Sequence, residues 1–169
     1  QTPVDLTFTN IRLRSQLATK LANEIEASEE ELDSLLNDQR YLASLGFDTT
    51  TIVGMFIPNT YQVYWTTSAP KLMERMKTEY DTFWTAERKA KAAKLGLSPK
   101  EVSTLASIVQ AETIKNDEKP RVAGVYLNRL KRDMLLQADP TVVFAVRDFS
   151  IRRVLNTHLR HQSPYNTYI

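Results

Sequence analysis

The chain has 169 residues, of which 42% are apolar and 25% charged, with a net charge of +2. That suits one globular domain, or one domain with a small appendage. Zero cysteines exclude disulfides, thiolate metal sites and cysteine nucleophiles. No stretch approaches the roughly 18 consecutive apolar residues of a membrane span, and no signal-peptide pattern is visible. The start at Gln1, without an initiator Met, reads as a processed or shortened piece of something longer.

Residues 6–12 (LTFTNIR) are short and β-prone and predict a strand. Leu13, Leu17, Leu21 and Ile25 recur every fourth residue, one apolar stripe on a helix. Ser28 with Glu31 forms a capping box opening a second helix that carries Leu32, Leu35 and Leu36. Residues 47–65 hold the β-formers Phe56, Ile57, Tyr61, Val63, Tyr64 and Trp65, an extended stretch expected to join the sheet of the main domain. Ser68 and Pro70 open a long helix predicted to run to about Ala93, with Leu72, Met76, Tyr80 and Phe83 inward and Gly96 as its stop.

Ser98-Pro99-Lys100-Glu101 combines an N-cap, a first-turn proline and an acid three residues after the cap. The helix it starts puts Leu105, Ile108, Val109 and Glu112 on one face. A further helix over residues 119–132 is expected to bury Val122, Val125, Tyr126 and Leu130. Asp139-Pro140 reads as an N-cap with a first-turn proline, opening a short helix through Val146, and Ser150 as the cap of one more.

Glu112 is the carboxylate of most interest. On an apolar wall, burial would disfavour its anion and keep a proton available for general-acid chemistry on a neutral leaving oxygen. The competing account is structural, with Glu112 paired to Arg129. Three polar clusters follow at irregular positions: Asn128–Arg129, Gln137–Asp139–Pro140–Thr141 and Tyr165–Asn166–Thr167. Asp139 is most simply a cap, whereas Gln137 has no evident structural duty. His158 and His161 have a spacing that could hold a metal, but no third ligand stands near, which favours exposed histidines. With four glycines, a phosphate loop could hardly be built.

Charge is unevenly spread. Residues 120–169 carry eight Lys/Arg against three Asp, a net of +5, which leaves −3 for residues 1–119. A basic half suits an anionic partner such as nucleic acid, lipid head groups or an acidic glycan, or is simply a solvated helical surface.

The segments LASIVQAET (105–113), VAGVYLNRL (122–130), LQADPTV (136–142) and SPYNTY (163–168) together resemble the YceG-like family of endolytic murein transglycosylases. GMFIPNTYQV (54–63) is similar to that family's strand around a Phe-Pro-x-Thr-Tyr motif, and residues 6–38 to its LysM-like N-terminal subdomain. The resemblance implies an α+β fold, with a small, partial LysM-like subdomain over 1–45. A mostly helical catalytic domain over 46–169 follows, incomplete at its C-terminus because the family pattern continues past Tyr168. It implies internal cleavage of the MurNAc-β-1,4-GlcNAc bond of nascent peptidoglycan, leaving 1,6-anhydro-MurNAc ends. Glu112 would be the single general acid and base. Gln137, Tyr165, Asn166, Asn128 and Thr141 would be substrate-binding or acid-holding residues.

No metal or organic cofactor is implied. The implied partners are peptidoglycan glycan strands, with peptidoglycan synthases as further candidates and no nucleic acid. The implied location is the outer face of the bacterial inner membrane, reached through an anchor helix absent from this chain. Many relatives carry a second Glu where this chain has Gln110. Two other readings stand beside this one: a non-catalytic peptidoglycan-binding module, and a basic helical nucleic-acid-binding protein.

Overall fold

The computed structural model describes residues 2–169, which divide into two compact units that part between Lys91 and Ala92. In the first, strand β1 (Pro3–Thr7) pairs antiparallel with β2 (Thr60–Tyr64), Leu6 opposite Tyr61 and Val4 opposite Val63. Along β2, Tyr61 and Val63 point inward while their neighbours face solvent, the period-two pattern of a sheet with one covered face. Between the strands run α1 (Arg14–Ala22), α2 (Glu29–Asn37), α3 (Gln39–Ser44) and a short 3₁₀ turn (Ile52–Met55).

Two expectations are corrected here. The strand read over residues 6–12 is Pro3–Thr7, and the left-handed backbone at Asn10 (φ 55°) rules out its extension to residue 12. Of the stretch read as extended after residue 47, Thr60–Tyr64 is the strand, paired with β1 inside the first unit, while Ile52–Met55 forms the 3₁₀ turn. The capping box on α2 forms as read: Ser28 Oγ accepts from the Glu31 N–H at 3.2 Å, and Glu31 Oε2 from the Ser28 N–H at 3.0 Å.

Helices α1 and α2 pack together, with Leu17, Leu21, Leu32 and Leu36 fully buried. The long helix expected to reach Ala93 is two helices, α4 (Ala69–Phe83) and α5 (Ala86–Lys94). The indole of Trp84 is buried edge-on to Phe83, and the backbone leaves the helix to put it there. The break is chemically sealed. Arg88 Nη1 donates to the Phe83 carbonyl at 2.6 Å, and Thr85 Oγ1 accepts from the Arg88 N–H at 3.3 Å as a new cap. Gly96 (φ 73°) ends α5 where only a residue without Cβ is unstrained.

The second unit contains α6 (Pro99–Glu112), α7 (Lys119–Lys131), α8 (Asp139–Val146) and a single-turn α9 (Asn156–Leu159). One core cluster consists of buried Val109, Tyr126 and Ala138, with Leu105, Ile108, Val122, Ala123 and Leu136 packed around them; Val142 and Ala145 are buried on α8. Val125 and Leu130, expected inside, are 46% and 41% exposed, because α7 packs on α6 only along its Val122–Tyr126 side. Ser150 caps no helix; its hydroxyl donates to Asp148 Oδ1 at 2.6 Å. Among the described residues, no helix is long and apolar enough to cross a membrane.

Candidate active site

Helix α6 starts with the capping box anticipated from sequence. Ser98 Oγ accepts from the Glu101 N–H at 3.3 Å, and Glu101 Oε2 from the Ser98 N–H at 2.7 Å. This fixes the helical phase, so the stripe through Leu105 and Val109 arrives at Glu112, the last residue of α6. The chain then turns through a polar loop, in which Thr113 Oγ1 donates to Glu118 Oε2 at 2.8 Å, and enters α7.

Where α6 ends against α7 there is an open cleft of about 240 Å³, lined by Glu112, Val122, Val125, Tyr126, Arg129 and Gln137. Glu112 is exposed in it, at the helix end where the apolar stripe opens into the cleft, and so lacks the burial an apolar wall would give. Nor is it paired with Arg129. The guanidinium of Arg129 instead donates through Nη1 to the Leu136 carbonyl, tying α7 to the chain just before Gln137.

The partner of Glu112 is Tyr126, whose phenol donates to Glu112 Oε2 at 3.3 Å. Tyr126 is only 5% exposed. Burial first, then the charge of Glu112 and its hydrogen bond, push the phenol up to about 12, with Arg129 opposing. A second phenol stands nearby. Tyr168 donates to Asp139 Oδ1 at 2.5 Å; this bond, then desolvation and the charges of Asp139 and Glu112 push it up to about 12, again opposed by Arg129.

Gln137 reaches the cleft on a strained backbone, with φ 51°. Hydrogen bonds on both sides hold that conformation. Its own N–H donates to the Thr167 carbonyl and the Ala138 N–H to Thr167 Oγ1, both at 3.0 Å, while Leu136 is held by Arg129. Thr141 is buried beneath: its hydroxyl donates to the Ala138 carbonyl at 2.7 Å and meets Thr167 Oγ1 at 2.8 Å.

The structure therefore brings Glu112 and Gln137 together and leaves the other expected residues outside the cleft lining. Thr141 is occupied as described, and Asn128 is exposed on α7. Asn166 is buried; its amide donates to the Leu159 and His161 carbonyls at 3.0 and 2.9 Å and its oxygen accepts from the Tyr168 N–H, pinning the terminal turn. Tyr165 packs edge-on against Phe144 with Arg147 over its face. Asp139 is the first residue of α8 and binds Tyr168; the cap position belongs to Ala138.

His158 Nδ1 accepts from the Leu155 N–H at 3.1 Å, and no metal-like cluster occurs among the described residues. Sequence reading missed Tyr126 and Tyr168 as site residues. A usable signal existed for Tyr126, since a tyrosine on a buried helix face needs a partner for its hydroxyl.

Comparison with known proteins bears on the same chain. Over 178 aligned residues it is 29% identical to the endolytic murein transglycosylase of Bacillus subtilis (strain 168), covering 96% of this chain and 49% of that protein. Over 122 residues it is 30% identical to the endolytic murein transglycosylase of Streptococcus pneumoniae (strain ATCC BAA-255 / R6), covering 68% of this chain and 21% of that one. The chain thus spans about half the length, or less, of these relatives. A crystal structure of a YceG-like protein from Listeria monocytogenes shares the fold, with a TM-score of 0.75 at 24% identity, over 98% of this chain and 59% of that one. The profile of the YceG-like family matches residues 1–169, and the chain belongs to that family.

Proposed function

We propose that the protein carrying this chain is an endolytic peptidoglycan lytic transglycosylase with Glu112 as its single general acid and base. The observation that carries the reading is the cleft itself. Among its lining residues Glu112 is the one carboxylate, and the uncharged amide of Gln137 shares the space. Asp139 is engaged by Tyr168 and is not a lining residue of the cleft. The names of the two relatives support the same chemistry.

A glycosidase that activates water uses two carboxyl groups. Lytic transglycosylation uses one. Glu112 donates its proton to the glycosidic oxygen as the C1–O4 bond breaks. The resulting carboxylate takes the proton of the C6 hydroxyl, and O6 bonds to C1 to close the 1,6-anhydro ring. Atoms and protons balance without water, and the carboxyl is regenerated for the next strand's bond. An open cleft suits internal cleavage, because the glycan must extend past the acid in both directions. On this reading the amide of Gln137, a lining residue, hydrogen-bonds an N-acetyl group of the glycan. Tyr165, Asn166 and Thr141 support the site indirectly, through the packing and turn contacts that surround α8, and exposed Asn128 on α7 is open to a glycan.

On this reading β1, α1 and α2, within residues 1–45, are the partial LysM-like subdomain of the same protein. The place of action is the cell envelope, and the partner is the glycan strand.

The test is mass spectrometry of muropeptides released from purified peptidoglycan by the intact protein. The expected products end in 1,6-anhydro-MurNAc. Glu112→Gln should lose several orders of magnitude in rate, since general-acid catalysis alone is worth about 100- to 10,000-fold and here one group serves twice. Reducing ends as the main product would show a hydrolase. Gln110→Ala should cost little, since Gln110 accepts from Lys119 at 2.7 Å and is not a lining residue of the cleft.

A further inference from the structure

Tyr126 is the residue in this cleft that the chemistry above leaves unused. We propose that Tyr126 is the positioning residue of Glu112, its phenol holding one carboxyl oxygen so that the other carries the catalytic proton toward the glycan. The inference rests on the transglycosylase reading and concerns how its acid is oriented.

Three observations carry it. Glu112 is exposed at the terminal position of α6, so packing does little to fix its torsions. Tyr126 is the opposite case: buried in the core of the second unit among Val109 and Ala138, its ring cannot swing. A rigid donor thus meets a loose acceptor at 3.3 Å, inside the cleft both residues line. Because the phenol keeps its proton far above neutral pH, it donates to Oε2 throughout the working range. An oxygen already accepting from a phenol is the poorer place for the carboxyl proton. In the acid form of Glu112 the proton is therefore carried by Oε1, the oxygen the phenol does not bind. A single carboxyl that must meet O4 as an acid and O6 as a base gains from this assignment, since both encounters then use one prearranged oxygen.

The test uses the intact protein with Tyr126→Phe, which keeps the buried ring and removes only the hydroxyl. The expected result is a kcat lowered by about ten- to a hundredfold, the range of a hydrogen bond to a charged group, with KM unchanged and the thermal midpoint near that of the parent. Glu112→Asp withdraws the carboxyl from the phenol. Adding Tyr126→Phe to it should then cost nothing further. A Tyr126→Phe enzyme with full kcat, or a double variant that loses the product of the two single effects, overturns the inference. Glu112→Gln separates this from failure of the underlying reading. An active Glu112→Gln enzyme sinks the reading and the inference together, whereas an inactive one beside a fully active Tyr126→Phe sinks the inference alone.

Discussion

Replacing Gln137 with glycine should separate stability from activity. Gln137 holds φ 51°, a conformation that costs an L-residue with a side chain about 1–2 kcal/mol and glycine nothing. Glycine adds back a cost of about 0.5–1 kcal/mol, because its unfolded chain has more freedom to lose. The hydrogen bonds that hold this backbone use main-chain atoms of residues 136–138, so the substitution leaves them intact. The net is a gain of roughly 0.7 kcal/mol, within about 0.7 either way. Activity should move in the opposite direction, because the neutral amide of a cleft-lining residue is gone. Gln137→Ala removes the same amide but keeps the strain, and should be less stable than Gln137→Gly by the same roughly 0.7 kcal/mol. Urea unfolding followed by circular dichroism measures the first quantity, and release of anhydro-muropeptides the second. A glycine variant clearly less stable than alanine would show that the left-handed backbone is not strained. Unchanged turnover in both would remove Gln137 from the substrate site.

Two further expectations concern stability. Ser98→Ala removes the side-chain half of the α6 capping box and should cost about 1 kcal/mol in urea unfolding; an unchanged midpoint would mean the cap is idle. Asp48 is held down to about 2, first by the Thr50 hydroxyl and further by Thr51 and backbone N–H groups. A carboxyl lowered in the folded state stabilises above its unfolded value, near 4, and loses that contribution as pH falls toward 2. Asp48→Asn should therefore flatten the fall in unfolding midpoint between about pH 4 and 2, and an identical pH slope in both proteins would refute the assignment.

What could be read ahead of the structure was local. Capping boxes at Ser28 and Ser98 and the glycine stop at Gly96 depend on atoms a few residues apart, and they form where the sequence places them. The breaks that were missed have distant causes. Helix α4 stops because burying Trp84 outweighs continuing the helix, and nothing in the adjacent residues announces how deep a tryptophan will sit. The pairing of β2 with β1 is likewise a choice between partners far apart in the chain, which residue periodicity cannot make.

The same distinction explains the site. Glu112 was found because it lies on a helical stripe whose start is capped, so its phase was computable from local chemistry. How exposed it is depends on how far α7 extends over the end of α6, which the stripe alone does not give. Tyr165, Asn166 and Thr141 were grouped with it on polarity alone. A polar side chain without a local task can be satisfied in two ways, by a ligand or by a remote stretch of backbone. Asn166 takes the second at the Leu159 and His161 carbonyls, and Thr141 by accepting from the Thr167 N–H, 26 residues on, besides its local bond to the Ala138 carbonyl. Gln137 differs in a way that the structure makes physical. Its main chain is restrained on both sides in a conformation its side chain disfavours, while the side chain itself faces the cleft. Backbone strain maintained by several independent hydrogen bonds, with the side chain left to the solvent-filled cleft, is the pattern expected of a group kept for a ligand. Tyr126 meets the complementary criterion, a buried donor whose partner is the acid itself. On the proposed reading the functional core of the cleft is narrower than polarity suggested: Glu112 as the acid, Tyr126 as the phenol that orients it, and Gln137 as the neutral amide of the lining.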